Sequence, residues 1–209
     1  MGNCTNKDEN ENDVMVGGDL NENVDGNFEI SSGKNLIFKS GLQYQGKVEN
    51  DKAQGKGKLV TENYTYMGEW ADGRPNGEGQ IVFKDGSSYK GNVLDGKPHG
   101  EGEFARADGF VYQGNFENGL YEGHGKANWP NGSFYVGEFT KGMFHGEGEF
   151  TWPDGRIFKG TYVNGSKNGK GVVYFENGNE FHAVWVKNKV KGKGQYMKDG
   201  VVIDEKKVD

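Results

Sequence analysis

The sequence has little of the material from which most globular domains build a core. Only 33% of its 209 residues are hydrophobic, and no apolar run reaches the about 18 residues that a membrane-spanning helix needs. The single cysteine permits no internal disulfide, which favours a reducing compartment. The N-terminus is acidic and polar, unlike a secretory signal. These absences argue against a secreted, disulfide-stapled or membrane-spanning protein and predict an intracellular one.

Charge and histidine placement argue against two further classes. Residues 1–29 hold one lysine and eight acidic residues, a net charge of −7, whereas the whole chain carries −6. The remainder is close to neutral and lacks the broad basic surface that nucleic-acid binding requires. The four histidines are scattered along the chain, and neither His99 nor His145 has an acidic partner at a fixed spacing. We expect no enzyme activity, no cofactor, no metal and no nucleic-acid partner.

Glycine, in contrast, is abundant. The 37 glycines make up about 18% of the chain against a usual share of about 7%, and they follow no Gly-X-Y triplet that would indicate collagen. The stretch YVGEFTKGMFHGEGEF, residues 135–150, recurs in related form along the chain. Its opening aromatic residue appears at positions 44, 66, 89, 112, 135, 158 and 181, so the repeat is 22 or 23 residues long. A fixed period of this length predicts a repeat architecture.

Each repeat has the pattern of a hairpin. Counting the opening aromatic residue as position 0, glycine or a large apolar residue occupies positions 0, 2, 4, 11, 13 and 15 of the quoted stretch. Residues of one parity share a strand face, and Asp-Gly, Asn-Gly or similar turn pairs recur in the middle and at the end of the repeat. If position 4 lies opposite 11, then 2 lies opposite 13 and 0 opposite 15. The pattern therefore predicts antiparallel hairpins in which glycines leave room for neighbouring rings.

The two faces of the predicted sheet differ in polarity. Large apolar residues at positions 4 and 15 form ladders along one face, and position 17 adds rings at its margin. The opposite face carries polar residues at position 12: Glu78, Glu101, His124, Glu147, Lys170 and Lys193. An apolar helix or an extended segment of a protein partner is expected to bind the aromatic face. The residues predicted to contact it are Trp70, Phe83, Phe116, Trp129, Phe139, Trp152, Tyr162 and Phe175.

The order Tyr-x-Gly-x-Trp/Phe, turn, Gly-x-Gly, apolar stretch and Asp-Gly resembles the MORN repeat (membrane occupation and recognition nexus). The resemblance covers seven repeats over residues 44–203, with departures at Asp51, Ala183 and Asn188 in the terminal repeats, which commonly act as caps. It implies an all-β fold, an elongated, twisted single-layer antiparallel sheet of stacked β-hairpins. Residues 30–43 look like a half-repeat that caps the N-terminal end. Residues 1–29 look like a disordered acidic tail, and residues 204–209 like a C-terminal tail.

The N-terminal residues MGNCTNKD predict a membrane anchor. Gly2 is the residue that N-myristoylation requires, and one myristoyl chain needs a second signal for stable attachment. Cys4, the single cysteine of the chain, lies two residues away and could take a palmitoyl group. Asn6 stands where the acylation motif usually has Ser or Thr, so an unmodified disordered tail is the alternative.

Together these patterns predict a non-catalytic scaffold or adaptor tethered to the cytoplasmic face of a membrane. One alternative is a cytoskeletal or ciliary structural component that forms homo-oligomers through open sheet edges. Another is direct phospholipid binding through a basic group near the C-terminal end. That group comprises Lys187, Lys189, Lys191 and Lys193, which could equally serve to keep a sheet edge soluble.

Overall fold

The computed structural model describes the backbone of residues 28–31, 35–38 and 42–208, and the side chains of residues 42–207. These residues divide into two compact units, of which the first ends at Leu120 and the second begins at Tyr121. Both predicted acylation sites, Gly2 and Cys4, lie outside the described residues. So does the predicted disordered tail, apart from its last two residues, Phe28 and Glu29.

The first unit is a series of antiparallel strands. Each strand hydrogen-bonds to the next strand along the chain. No helix occurs among the described residues of this unit. Its strands are β1 (Phe28–Ser31), β2 (Asn35–Phe38), β3 (Gln43–Glu49), β4 (Lys52–Val60), β5 (Tyr64–Ala71), β6 (Arg74–Phe83), β7 (Ser88–Leu94), β8 (Lys97–Ala105) and β9 (Val111–Glu117).

The second unit has the same construction. Its strands again pair antiparallel in chain order, except that β15 pairs with both β16 and β17. The strands are β10 (Leu120–Asn128), β11 (Phe134–Thr140), β12 (Met143–Thr151), β13 (Ile157–Val163), β14 (Ser166–Tyr174), β15 (Glu180–Val186), β16 (Lys189–Val190), β17 (Gly192–Lys198) and β18 (Val201–Val208). The predicted all-β fold of consecutive antiparallel hairpins is confirmed.

The predicted boundaries at both ends need correction. The half-repeat expected at 30–43 contains β2, which pairs with β3, but β1 precedes it and begins inside the predicted tail. Residues 204–208, predicted to belong to a C-terminal tail, are part of β18, which forms a hairpin with β17. The turn of that hairpin is made by Asp199 and Gly200, both with positive φ.

Two-residue turns join the two strands of each repeat. Both central residues have positive φ, as in Asn118 (52°) and Gly119 (82°), which is the geometry of a type I′ turn. The departures from the repeat pattern at Asp51 and Asn188 keep this geometry, with φ values of 60° and 67°. Asp and Asn tolerate the left-handed region better than other side chains do, so the terminal repeats turn in the same way.

Between neighbouring repeats the strands pair in the register that the sequence pattern predicted for the inside of a hairpin. Position 11 lies opposite position 4, 13 opposite 2, and 15 opposite 0, as where Gly146 of β12 faces Tyr162 of β13. The same register joins the other described pairs of neighbouring repeats. Each ring at position 4 therefore lies beside a glycine of the preceding repeat.

Within the hairpins this register holds for positions 0 and 15 and for positions 2 and 13, but the predicted pairing of position 4 with 11 is wrong, because the register shifts. In β11 and β12 the pairing of positions 2 and 13 is kept, but the next pair is Glu138 with His145, so Gly146 and Glu147 form a bulge. Gly146 has a φ of 59°, the left-handed conformation that favours glycine in such bulges. Position 4 consequently faces position 9 inside the hairpin, and position 9 joins the core.

A backbone hydrogen bond fastens each middle turn to the repeat before it. The N–H at position 7 donates to the carbonyl at position 9 of the preceding repeat. The donor–acceptor distances are 3.0 Å from Gly73 to Ala53, 2.9 Å from Gly96 to Pro75, 2.8 Å from Gly142 to Tyr121 and 2.9 Å from Gly165 to Phe144. Neighbouring repeats are thus joined through their turns as well as through the sheet.

Candidate functional site

The ring at position 0 fills the space that two glycines leave open. A Cβ atom on Gly137 or Gly148 would fall within 3.0 Å of the side chain of Tyr135, which is itself 0% exposed. The corresponding glycines lie equally close to the rings of Tyr44, Tyr66, Tyr89 and Phe158. Glycine at positions 2 and 13 therefore makes room for a ring, whereas glycine at position 11 serves the bulge.

The hydroxyl groups of these tyrosines bond to the backbone beside the bulge. Each donates a hydrogen bond to the carbonyl oxygen of position 3 in its own repeat. The distances are 3.1 Å for Tyr44, 2.8 Å for Tyr66, 2.6 Å for Tyr89, 2.9 Å for Tyr112 and 3.0 Å for Tyr135. Burial raises the pKa of Tyr44 to about 12, and burial is also the main cause that raises the pKa of Tyr66, Tyr89 and Tyr135 still further.

Rings at position 4 pack between the position-0 rings of their own and an adjoining repeat. In the first unit, Trp70 lies edge-on to Tyr66 and to Tyr44, with ring centroids 5.4 Å and 5.0 Å apart. In the second unit, Tyr135 contacts Phe139 at 5.1 Å and Tyr162 at 5.3 Å. Edge-to-face pairs at these separations add about 0.5–1.5 kcal/mol each beyond the area that they bury. This ladder is the core of each unit.

Four of the predicted partner-binding residues belong to this core. Trp70, Phe116, Phe139 and Tyr162 are 3%, 3%, 2% and 1% exposed. Their rings leave almost no surface for a partner, so this part of the predicted binding site is corrected. The bulge contributes to this burial because it brings position 9 opposite position 4, as where Phe144 contacts Phe139.

The other four predicted contact residues lie at position 17 and are half-buried. Phe83 belongs to the first unit, and we call Trp129, Trp152 and Phe175 the ring margin of the second unit. Trp129 contacts the core ring of Phe150 at 5.8 Å between centroids. Trp152 contacts the same ring at 5.2 Å. The margin is therefore held by the core on one side and exposed to solvent on the other.

The opposite face is polar, as predicted. All six side chains at position 12 are exposed: Glu78, Glu101, His124, Glu147, Lys170 and Lys193. Lys187, Lys189 and Lys191 of the predicted basic group are exposed as well, and Lys193 forms an ion pair of 3.3 Å with Glu205 of β18. Since both partners of this pair are largely exposed, it adds little stability.

Two kinds of feature are absent from the described part of the chain. No three side chains among His, Cys, Asp and Glu are grouped as a metal ion would require. A search for a helix of sufficient length and apolarity to cross the bilayer found none there either.

One buried residue was missed from the sequence. Lys167 lies at position 9 of its repeat and is only 5% exposed. Its ammonium group lies over the rings of Trp152, Phe158 and Trp185. A signal was present, because earlier repeats have Ala, Pro, Tyr or Phe at position 9, but the bulge that makes this position part of the core was not foreseen.

The chain shows distant similarity to solved structures. No curated protein matches the sequence. Among solved structures, the chain resembles the TCP domain of Drosophila melanogaster SAS-4 in complex with a proline-rich motif of Ana2, with 13% identity, a TM-score of 0.46, and coverage of 71% of this chain and 82% of that one. It also resembles a mutant TCP10 domain of Danio rerio CPAP, with 16% identity, a TM-score of 0.45, and coverage of 87% and 94%.

A family model, that of the MORN repeat, matches six consecutive stretches: residues 44–65, 66–88, 89–111, 112–134, 135–155 and 158–180. These boundaries coincide with the first six predicted repeats, whose starting residues are the same. The seventh predicted repeat, from residue 181, falls outside the match and is the one in which a short extra strand, β16, interrupts the hairpin. Because the matched stretches make up more than half of the sequence, the chain belongs to the MORN repeat family.

Proposed function

We propose that this protein is a non-catalytic scaffold that docks a protein partner on the ring margin. The observation that carries the proposal is the recurrence of a half-buried ring at position 17 of three successive repeats, at Trp129, Trp152 and Phe175. Large rings that are anchored on one side and open on the other supply the rigid apolar contacts on which protein interfaces depend. The proposed binding surface is therefore smaller than the aromatic face predicted from the sequence and comprises only the ring margin.

The spacing of the ring margin suits a regular peptide segment. Successive position-17 residues are two strands apart, which corresponds to about 9.6 Å at the usual strand separation. An α-helix advances about 10.5 Å in seven residues, and a polyproline II segment advances about 9.3 Å in three. A partner helix or extended segment with apolar side chains at either interval would meet one ring after another.

Removing rings from the margin should weaken partner binding more than changes on the polar face do. We expect Trp129→Ala combined with Phe175→Ala to reduce the recovery of specific partners from an extract of the source cells. Each lost anchor should cost about 2 kcal/mol of binding, or about 30-fold in affinity. Quantitative mass spectrometry of the proteins retained by immobilised wild type and variant measures the effect.

The matched controls are Glu147→Lys and Glu101→Lys, which change exposed residues of the opposite face and should retain the same partners. Thermal unfolding of every variant must accompany the binding assay, because Trp129 also contacts Phe144 and Phe150 of the core. Partners that remain bound to a destabilised margin variant would show that these rings are core alone, and the platform would be refuted.

We further propose that the scaffold is tethered to a membrane through acyl groups on Gly2 and Cys4. The support comes from the sequence: Gly2 follows Met1, and the single cysteine of the given sequence lies two residues beyond Gly2. Because one myristoyl chain binds a bilayer only marginally, the thiol would supply the second anchor. The acidic residues that follow cannot do so, since anionic lipid repels them.

Changing Gly2 should release the protein from membranes. We expect Gly2→Ala to move it from the membrane pellet to the soluble fraction and to remove both lipids, because Cys4 is acylated only once the first chain brings it to the bilayer. Cys4→Ser should remove one lipid and release the protein in part. Intact mass of the native protein measures the acyl groups directly, and native protein without them would refute the anchor.

Such a result would favour the alternative function, a cytoskeletal component that assembles through sheet edges. One observation supports that alternative, namely the charge order of β18, Asp204-Glu205-Lys206-Lys207. If two copies aligned antiparallel at this strand, Asp204 would face Lys207 and Glu205 would face Lys206, and opposite charges across strands stabilise pairing. Soluble, unacylated protein whose sedimentation rate rises with concentration would therefore support the cytoskeletal function.

A further inference from the structure

Two cations lie in line with the ring margin of the second unit. Lys198 takes position 17 of the last repeat and continues the row in which Trp152 and Phe175 take the same position. Arg156 lies between these two rings, because its carbonyl oxygen accepts a 2.9 Å hydrogen bond from the Trp152 N–H and its strand, β13, pairs with the strand that precedes Phe175. An arginine and a lysine therefore stand on either side of Phe175.

The guanidinium group of Arg156 is held in a fixed position. Its Cζ atom lies 5.2 Å from the ring centroid of Trp152, and its Nε–H donates a 2.7 Å hydrogen bond to Oδ2 of Asp154. Within the part of the chain that the structure describes, neither Nη group has a hydrogen-bonding partner. The side chain is 40% exposed, so a carboxylate can approach these groups from solvent. They present a planar pair of donors of the kind that binds a carboxylate with two hydrogen bonds.

Lys198 supplies a second cation at the margin. Its side chain is exposed, and no ion pair joins it to another of the residues that the structure describes. The margin is not a general basic patch, however, because the turns beside these residues carry three exposed carboxylates, those of Asp154, Glu176 and Asp199. An acidic group of a partner therefore gains from this surface only where it meets the guanidinium or the ammonium group directly.

The row has the repeat of a polyproline II helix. Trp152, Phe175 and Lys198 are each two strands apart, since β13 lies between the first two and β15 between the last two. The two steps together correspond to about 19.2 Å at the usual strand separation. A polyproline II segment covers about 18.6 Å in six residues, whereas an α-helix covers about 21 Å in fourteen. The polyproline II segment stays closer to all three positions, and its rigid, solvated backbone loses little freedom on binding.

We propose that the ring margin binds a proline-rich segment of a partner protein in which an acidic residue, a proline and a second acidic residue follow one another at intervals of three. One carboxylate accepts hydrogen bonds from the Nη groups of Arg156, the proline ring packs on Phe175, and the other carboxylate pairs with Lys198. This order reads the same in both chain directions. The inference rests on the proposed docking function and adds the chemistry of the partner.

The test is a titration of the protein with two peptides, followed through the indole resonance of Trp152. The first is Ac-Pro-Pro-Glu-Pro-Pro-Pro-Pro-Pro-Glu-Pro-Pro-amide, and the second has glutamine in place of both glutamates. We expect the first to bind saturably and the second about 25-fold more weakly, because each partly exposed ion pair contributes about fivefold. A third peptide with one proline fewer between the glutamates should bind about fivefold more weakly than the first, since only one carboxylate then meets a cation.

Substitutions assign the two contacts. Arg156→Gln and Lys198→Gln should each lower the affinity for the glutamate peptide about fivefold, and the double variant should bind the glutamate and glutamine peptides equally. Phe175→Ala should weaken the binding of both peptides. The matched control is Lys170→Gln, which removes a positive charge from the opposite face of the same unit and should bind as the wild type does. Because the double variant compares two peptides on one protein, a change in its stability does not affect the comparison.

Equal affinity of the wild type for the glutamate and glutamine peptides, equal affinity for the two glutamate spacings, or a double variant that still prefers glutamate would each overturn the inference. Binding of an amphipathic helical peptide in place of the proline peptide would overturn it as well, but would leave the docking function intact. Partners from an extract that depend on Trp129 and Phe175 would likewise support docking when no proline peptide binds. Failure of this inference and failure of the proposed function are therefore distinguishable.

Discussion

Raising the pH above about 11 should unfold the first unit abruptly, because its buried tyrosines lose their protons only when the chain unfolds. Tyr44, Tyr66 and Tyr89 are buried with their hydroxyl groups bonded to backbone oxygens. Burial raises the pKa of all three above the ordinary value of 10.0, to about 12 for Tyr44 and further for the other two. The folded state therefore keeps protons that the unfolded chain releases.

The direction of the effect follows from proton binding. Below the unfolded pKa of about 10 both states hold the phenolic proton, and the contribution of these residues to stability is complete. As the pH rises from there toward the folded pKa, the unfolded state binds fewer protons and the free energy of unfolding falls by about 1.4 kcal/mol per tyrosine and pH unit. Three tyrosines remove about 4 kcal/mol per pH unit, comparable with the about 5–15 kcal/mol that stabilises a typical domain.

Alkaline titration checks this by following strand content through circular dichroism and phenolate through its absorbance. The phenolate signal of the buried tyrosines should appear together with the loss of strands, between about pH 11 and 12. Tyr66→Phe should lower the free energy of unfolding at neutral pH by about 1 kcal/mol, because a hydrogen bond is lost. At alkaline pH, the free energy of unfolding should fall less steeply with pH, because one of the three buried tyrosines no longer contributes. The control is Tyr174→Phe, because Tyr174 is half-exposed and is not one of the buried tyrosines at position 0. Formation of the full phenolate absorbance while the strands remain intact would contradict the argument.

Replacing Gly148 by valine should destabilise the packing of the aromatic face. The new Cβ atom would meet the ring and hydroxyl oxygen of Tyr135, and that ring cannot move aside. Phe144 stacks on it, Phe139 and Tyr162 contact its edges, and its hydroxyl is bonded to Glu138. Overpacking of this kind costs about 1–3 kcal/mol, which lowers the melting temperature by about 3–10 °C in a protein of this size.

The matched control is Glu147→Val, one residue earlier, whose side chain is exposed on the polar face. Valine is favoured in strands, so this variant should melt within about 2 °C of the wild type. Calorimetry on both variants compares the two faces directly. Equal melting temperatures would mean that the ring at position 0 has more freedom than its contacts indicate, and the packing scheme would then be wrong.

Periodicity alone was enough to predict much of this fold. Because same-parity residues share a strand face, the in-phase glycines and rings predicted the hairpins, the polar face and part of the register inside a hairpin, as in the pairing of Gly137 with Gly148. Pairs such as Asn118-Gly119 predicted the turns between strands, and both residues of that turn have positive φ. These features depend on local chemistry that recurs in every repeat.

The bulge could not be predicted in this way, since it depends on three-dimensional packing. Its position reflects the left-handed conformation of Gly146 together with the hydrogen bond from Tyr135 to the Glu138 carbonyl. Neither is visible in a pattern of apolar and polar residues. Because the bulge was missed, the prediction of the binding site was wrong as well. The rings at position 4 were assigned to a binding surface, although they are buried and lie opposite position 9. Lys167 was missed for the same reason.

The hydrogen bond between each middle turn and the preceding repeat has a consequence for how such a chain can change in length. The donor at position 7 and the acceptor at position 9 are backbone groups, so the bond does not depend on side-chain identity, as Gly73 with Ala53 and Gly96 with Pro75 illustrate. Excising residues 66–88 would place Tyr89 opposite Leu59 and bring the Gly96 donor to the Ala53 carbonyl. The two repeats that become neighbours would then contact each other through the same positions as neighbouring repeats do in the intact chain. Whole repeats are therefore interchangeable cassettes that duplication or deletion of coding sequence can add or remove without redesigning an interface.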